Sequence, residues 1–384
     1  MIKITFTGDV MSGGEIDALC KTENGYDYFP LYKGLKEVLS DCDYLVTNLE
    51  TPIAGGECEY TNERYRFNTP DEYLDVLQDC GVDLYCLANN PCMDRGVAGI
   101  KRTLKTMKNR GLDYVGLAES EEESNEVFVK EIGGIKVGFL NYTYGTNAFV
   151  HGDFLKENAW AVRLLQPEET TDGAMELLKS NDEIAQKYLD VYEREKEKYS
   201  AIIEPYFARL EKEVKALKER ADFVVAVMHS GGQYNEFSDL FTQKMDERVL
   251  KAGADIVVGH HPHIIQPSSW VDGKFCAYSL GNFVFKYDKN RQYVVDPRYN
   301  ALFNLYLSKT ETGEAHVEKM TFRVMRVEDD GESNTLPQTV DTFEEYKAKP
   351  SEELKAKILY YANKFIGRTG YYLEVQDEYE VPKN

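Results

Sequence analysis

The chain has 384 residues and sets 66 acidic against 45 basic side chains, a net charge of −21 at neutral pH. Such a surface argues against nucleic acid as a partner, since phosphate contacts need a basic stripe, and no run approaches the roughly 18 apolar residues of a membrane-spanning helix. Seven cysteines, an odd number with no Cys-x-x-Cys, exclude a disulfide framework, and neither a Walker loop nor a dinucleotide fingerprint is present.

The chain opens with Ile2-Lys3-Ile4-Thr5-Phe6-Thr7, an alternating β-prone run followed at once by Gly8-Asp9. Because this strand starts at the second residue, no signal peptide or anchor is expected before it, and a cytoplasmic location is expected. Residues 32–40 and 71–80 show helical spacing. Between them Tyr44-Leu45-Val46-Thr47 reads as a strand ending in Asn48-Leu49-Glu50. The next strand, Leu84-Tyr85-Cys86-Leu87-Ala88, ends in Asn89-Asn90, and a helix over 99–110 closes at Gly111. Gly133-Gly134 at the middle of 126–142 predicts a hairpin leading into the strand 136–141. The aromatic stretch 144–166, with Trp160 and Arg163, follows a core strand and is placed to act as a lid.

Residues from about 170 to 221 are dense in Glu, Lys, Leu and Ala and read as a long amphipathic helical insertion, started or kinked at Pro205. A homodimer contact through this insertion is an expectation. Two further strands follow. Phe223-Val224-Val225-Ala226-Val227-Met228 ends in His229, and Ala254-Asp255-Ile256-Val257-Val258 ends in Gly259-His260-His261-Pro262-His263. A last core run, Phe275 through Leu280, stops at Gly281-Asn282-Phe283. Residues 303–308 and 317–327 alternate as strands paired across a turn at 310–313, and 341–367 reads as helical. The expected division is one α/β domain over 1–330 and a helical, acidic extension over 331–384.

Six apolar runs thus stop at Asp, Glu, Asn or His, and three of the six histidines fall within five positions. Each end alone has an ordinary structural role: Asp9 could cap a turn, Asn90 hold a left-handed position, Glu50 sit in solvent. Their recurrence points to one shared site, because the carboxyl ends of strands are where open α/β sheets carry ligands. Oxygen and imidazole donors mixed in this way suit hard or borderline divalent ions such as Mn, Fe, Zn or Mg. Cys92 lies beside this site, but no cationic neighbour is visible that would make its thiol reactive.

The order Gly-Asp, Asn-x-Glu, Ala-Asn-Asn, Met-His, Gly-His-His-Pro-His, Ser-Leu-Gly-Asn-Phe resembles the CapA/PgsA family of capsule and poly-γ-glutamate synthesis proteins. The resemblance runs from Ile2 to about Phe285 and extends to the calcineurin-like metallophosphoesterases. It implies an α/β fold of four layers, an α/β/β/α sandwich, holding two divalent metal ions. Carried over position by position, Asp9 binds the first metal and Glu50 stands where a carboxylate bridges the two. Asn90 and His229 bind the second metal, and His261 and His263 match the paired histidines of the final motif, with His260 beside them as a further candidate. The Ser279 to Phe283 signature is expected to be structural.

Two motifs depart from that pattern. The histidine that follows the second Asn of the Asn-Asn pair is here Pro91, which has no titratable group and no N–H. Asp94 of the same motif remains and is the candidate catalytic residue. Where the family reads His-Trp-Gly-x-Glu-Tyr, this chain has His229-Ser230-Gly231-Gly232-Gln233-Tyr234, exchanging a Trp and a charge. Three functions follow from the resemblance. One is a metal-dependent hydrolase of a phosphate ester or another small or polymeric anion. The second is a component that makes or trims a γ-glutamyl or other envelope polymer. The third is a metal-dependent binding protein whose catalytic acid is lost at Pro91.

Overall fold

The structure, a computed structural model, describes residues 1–61, 63, 65–168 and 203–383. Among them the strands form two mixed sheets and a small hairpin, β2 (Lys21–Thr22) with β3 (Gly25–Tyr26). The first sheet runs β16 (Gln338–Asp341), β15 (Ala315–Glu328), β14 (Tyr299–Lys309), β1 (Ile2–Val10), β4 (Tyr44–Leu49), β5 (Val82–Cys86), β6 (Asp113–Val115). Two short strands join it, β13 (Asn282–Val284) beside β1 and β17 (Tyr379–Glu380) beside β15. The second sheet runs β11 (Ser269–Val271), β12 (Lys274–Ala277), β10 (Ile256–His260), β9 (Phe223–His229), β8 (Ile135–Thr143), β7 (Phe128–Ile132).

The two sheets bury side chains in one common cluster: Ile4, Phe6, Val46 and Leu84 from the first meet Val137, Phe139, Val225 and Val258 from the second. Along β9 the alternate residues Val224, Ala226 and Met228 belong to another cluster, with Phe207, Leu210, Val214 and Val249. Both faces of β9 are therefore covered, which is why its sequence is an unbroken apolar run rather than an alternating one. The helix Gly96–Arg110 sets Ile100, Leu104 and Met107 on one stripe against Leu45 and Tyr85 of the first sheet. It ends at Gly111, whose φ of 66° is the left-handed cap expected of a glycine there.

Several expectations from sequence shift in detail. The helix expected over 32–40 is a 3-10 turn, Phe29–Tyr32, and a separate short helix, Lys36–Ser40, because Gly34 between them takes a φ of +83°. The last core run does not stay in one sheet. β12 ends at Ala277, Gly281 turns at φ +82°, and β13 crosses to pair with β1 in the other sheet. Arg163, in the stretch expected to form a lid, is buried and paired with Glu213 at 3.0 Å. Most of the expected helical insertion, and the dimer contact placed on it, lies outside the described residues. Residues 203–218 are helical, and Leu210, Val214 and Leu217 pack on the outer face of the second sheet.

Beyond β15 the chain returns to the core: the helix Glu352–Phe365 brings Phe365 to 4.5 Å from Phe322, ring to ring. Among the described residues no helix is long and apolar enough to cross a membrane.

Candidate metal centre

Sheet register assembles the site. In the first sheet Asp9 lies level with Asn48 of β4 on one side and Asn282 of β13 on the other. In the second sheet His229 lies level with His260. The carboxyl ends of these parallel strands meet, so the polar residues that close each apolar run are brought together. Two glycines allow the approach. A Cβ on Gly8 would lie 2.2 Å from the carbonyl oxygen of Gly281, and one on Gly259 would lie 2.1 Å from that of Tyr278.

The loop after β10 is the most constrained part. His261 has φ +98° and His263 has φ +59°, conformations that non-glycine residues rarely take. Each costs on the order of 1–3 kcal/mol, and such strain gathers at functional sites. The backbone turns so that both imidazoles face the strand ends.

Two groups of buried donors result, Asp9 with Glu50 and His263, and Glu50 with His229 and His261. Glu50 belongs to both. Its Oε1 lies 3.6 Å from Nε2 of His229 and 3.6 Å from Nε2 of His263. Asn90 joins the second group, with Oδ1 2.8 Å from Nε2 of His229. Nδ1 of His261 lies 3.2 Å from the same nitrogen. One imidazole nitrogen carries at most one proton, so it cannot satisfy Asn90, His261 and Glu50 together, whereas a cation accepts lone pairs from all four. The donor set therefore fits divalent ions, with their number and identity left open by the ligand types.

Electrostatics agree with this. Burial raises the Glu50 carboxyl well above its ordinary range, and the neighbouring Asp9 charge adds to that. Burial also acts upward on Asp9, but hydrogen bonds to His260 and His263 overcome it and hold that carboxyl well below its usual range. His229 is held well below the usual imidazole range by burial, which keeps it neutral, the form that binds a metal. Two carboxylates packed together at 0% and 1% exposure need positive charge nearby.

All six residues expected as metal ligands (Asp9, Glu50, Asn90, His229, His261 and His263) lie at this one site and are buried. Asp94, the expected catalytic residue, stands one step back. Its Oδ1 accepts from Nδ2 of Asn147 at 2.9 Å and its Oδ2 from the backbone N–H of Phe67 at 2.8 Å. Asn147 in turn accepts from Nδ2 of Asn90 at 3.0 Å, which aims the Asn90 oxygen at His229. His260 places Nδ1 2.8 Å from Asp9 Oδ1 and so orients that carboxylate. Pro91 is buried in the 3-10 turn Asn90–Met93. Cys92 is buried there too, and burial pushes its thiol up, away from a reactive thiolate.

Three contributors were not singled out from sequence. Asn48 sends Nδ2 to Asp9 Oδ1 at 2.9 Å; its signal was its place inside the Asn-x-Glu motif. Asn282, in a signature expected to be structural, puts Oδ1 2.9 Å from Nδ1 of His263. Asn147 had no signal, since its role depends on the fold. Tyr144 covers the histidines, its ring 4.5 Å from that of His261. A cavity of about 410 Å³ opens over Glu50, Asn90 and His263.

Residues 3–287, which carry every one of these side chains, match the family model described as bacterial capsule synthesis protein PGA_cap. The chain belongs to that family. Among similar proteins, the capsule biosynthesis protein CapA of Bacillus anthracis is 26% identical over 287 residues, 74% of this chain and 60% of that protein. The PGA biosynthesis protein CapA of Bacillus subtilis (strain 168) is 26% identical over 319 residues, 83% of this chain and 70% of that one. The match to the Bacillus anthracis protein thus spans less than two thirds of its length. Strands β14 to β17 lie beyond the residues matched by the PGA_cap model.

Proposed function

We propose that this PGA_cap protein is a metal-dependent hydrolase acting on a phosphate ester or a related anionic substrate. The observation that carries the reading is Glu50, shared by two donor groups. Asp9, Glu50 and His263 would hold one divalent ion, and Glu50, Asn90, His229 and His261 a second. When bound, such a pair lowers the pKa of water and offsets charge on a phosphoryl or carbonyl oxygen. The chain's own residues do the rest. His260 and Asn48 orient Asp9, the Asp94–Asn147 pair orients Asn90, and Tyr144 shields the histidines from water. Asp94 is then a positioning residue rather than a proton donor. The layering of helices outside two facing sheets supports the four-layer α/β/β/α arrangement. Residues 1–330 are then the catalytic unit, and 331–384 an extension that adds β16 and β17 to the first sheet and packs Phe365 into the core.

The names of the Bacillus relatives bring a second reading, that the anion is an envelope polymer such as poly-γ-glutamate, made or trimmed here through its amide bonds. A third, a binding protein with impaired catalysis, is favoured by Pro91, which can move no proton.

Elemental analysis of the purified chain before and after reconstitution with Mn or Zn tests the centre. About two ions per chain, with turnover in a screen of phosphate esters and γ-glutamyl amides, is the expected result. Ions without turnover would favour the binding protein, and no ion under any condition would overturn the metal reading.

A further inference from the structure

The cavity over the metal centre is larger than its reaction needs. At about 410 Å³ it has room for roughly a dozen waters at about 30 Å³ each, well beyond one phosphoryl or carboxyl group. Its lining reaches from Glu50 and His263 to Lys286, Arg291 and Tyr293.

Three cations line it, and two are already engaged. Arg66 pairs with Glu63 at 3.0 Å. Lys286 pairs with Asp329 at 2.9 Å and donates to the carbonyls of Glu332 and Thr335. Arg291 differs. Its guanidinium lies 4.0 Å from the ring centre of Tyr234 and 5.7 Å from that of Tyr293, and among the described residues it makes no ion pair. Stacking holds the guanidinium in place yet leaves its N–H groups to donate in the ring plane. The platform is rigid. Tyr234 has φ +62°, donates its N–H to the carbonyl of Pro262 at 2.8 Å, and sets its ring 5.6 Å from that of His263. The group that fixes Arg291 is therefore fixed to the loop that carries two candidate ligands. Glu15, Glu63 and Asp288 also line the cavity, so in a chain of net charge −21 the half-buried Arg291, left to tyrosine faces, is among the described residues the lining cation free to meet an anion that enters.

We propose that Arg291 anchors a second anionic group, a carboxylate or a phosphate, on a substrate whose reacting group sits at the Glu50–His263 end of the cavity. The proposal rests on reading that end as the hydrolytic centre. It makes the substrate at least a dianion, with its charges at two separated points. Arg291 is then a specificity residue rather than part of the reacting centre.

Calorimetric titration of the Mn-loaded full chain tests this with three probes: inorganic phosphate, tripolyphosphate and tricarballylate. The wild type should bind at least one of the two longer anions more tightly than inorganic phosphate. Arg291→Ala should weaken that longer anion roughly ten- to hundredfold while inorganic phosphate stays within about twofold. Arg291→Lys should recover part of the loss, since it restores the charge without the fork. Which long anion responds identifies the anchored group as phosphate or carboxylate. Equal affinities of Arg291→Ala and wild type for the long anions, an equal loss for inorganic phosphate, or no wild-type preference would each overturn the proposal. A chain that shows the Arg291-dependent difference but turns over no ester or amide would keep the anchor and lose the hydrolytic reading.

Discussion

Asn90 Oδ1 lies 2.8 Å from His229 Nε2, and this contact joins the two sheets at the centre of the site. Asn90 follows β5 of the first sheet and His229 closes β9 of the second. Neither sheet alone holds a complete set of donors, so the site depends on how the sheets are docked.

That docking is read out by Asn147. It fixes the Asn90 amide from one side and meets Asp94 on the other. Asn147→Ala should lower metal affinity about 10- to 100-fold, the usual effect of losing a partner that orients a ligand, with little change in melting temperature of the metal-free chain. Competition with a chromogenic chelator measures it. An unchanged affinity would mean that Asn90 is aimed by something else.

The strand ends were legible because chemistry and pattern coincide there. A buried strand that stops at Asp9 or His229 must turn into a polar loop, and the polar residue is visible against the apolar run. The histidine loop was legible for the same reason, although its geometry was not. The positive φ at His261 and His263 is not written in any local residue pattern, and the close approach of Gly259 to the Tyr278 carbonyl is a contact between segments that only the fold brings together. The sheet switch at Gly281 was hidden because residues 275–283 read as one strand and its stop. Asn147 was hidden because it sits in an irregular loop and acts through a neighbour 57 positions away.

Sharing of Glu50 gives a stoichiometric prediction. His263→Ala removes a donor from one group, and His229→Ala from the other, so each should cost about one ion of two. Glu50→Gln should cost both, because the amide brings no charge to separate two dications. Mass spectrometry under non-denaturing conditions counts the ions directly. Retention of both ions by Glu50→Gln would exclude a bridging role.

Pro91 sets the catalytic ceiling. If the centre binds metal and lacks only a proton donor, Pro91→His should raise the rate on a model phosphodiester by about a hundredfold or more, within the usual range for general acid catalysis. The 3-10 turn Asn90–Met93 tolerates a residue other than proline, because the backbone bond at this position, from the Asp94 N–H to the Pro91 carbonyl at 2.9 Å, uses a carbonyl that any residue supplies. Rates of p-nitrophenol release compare the two forms. A folded, metal-loaded Pro91→His chain with no gain would move the protein toward binding, or toward a substrate that needs no acid.

Far from the site, Asp246 gives a test in pH. It lies at 1% exposure in the helix Leu240–Ala252, and the thiol of Cys276 donates to its Oδ2 at 3.3 Å. Among the described residues its Oδ1 has no hydrogen-bond partner. Burial pushes its carboxyl up from the ordinary 3.8 to about 8, so the folded chain holds a proton that the unfolded chain releases. The sign follows from that difference. Between about pH 4 and pH 8 the native state binds more protons than the unfolded state, and this group's contribution to stability falls as pH rises through that window. Asp246→Asn, which stays neutral throughout, should melt close to wild type near pH 4 and progressively above it toward pH 8. Melting curves of the two proteins at matched ionic strength decide the matter. Parallel pH profiles, with no growing gap, would show that Asp246 is ionised in the folded protein and that its charge is met by a group the packing has not revealed.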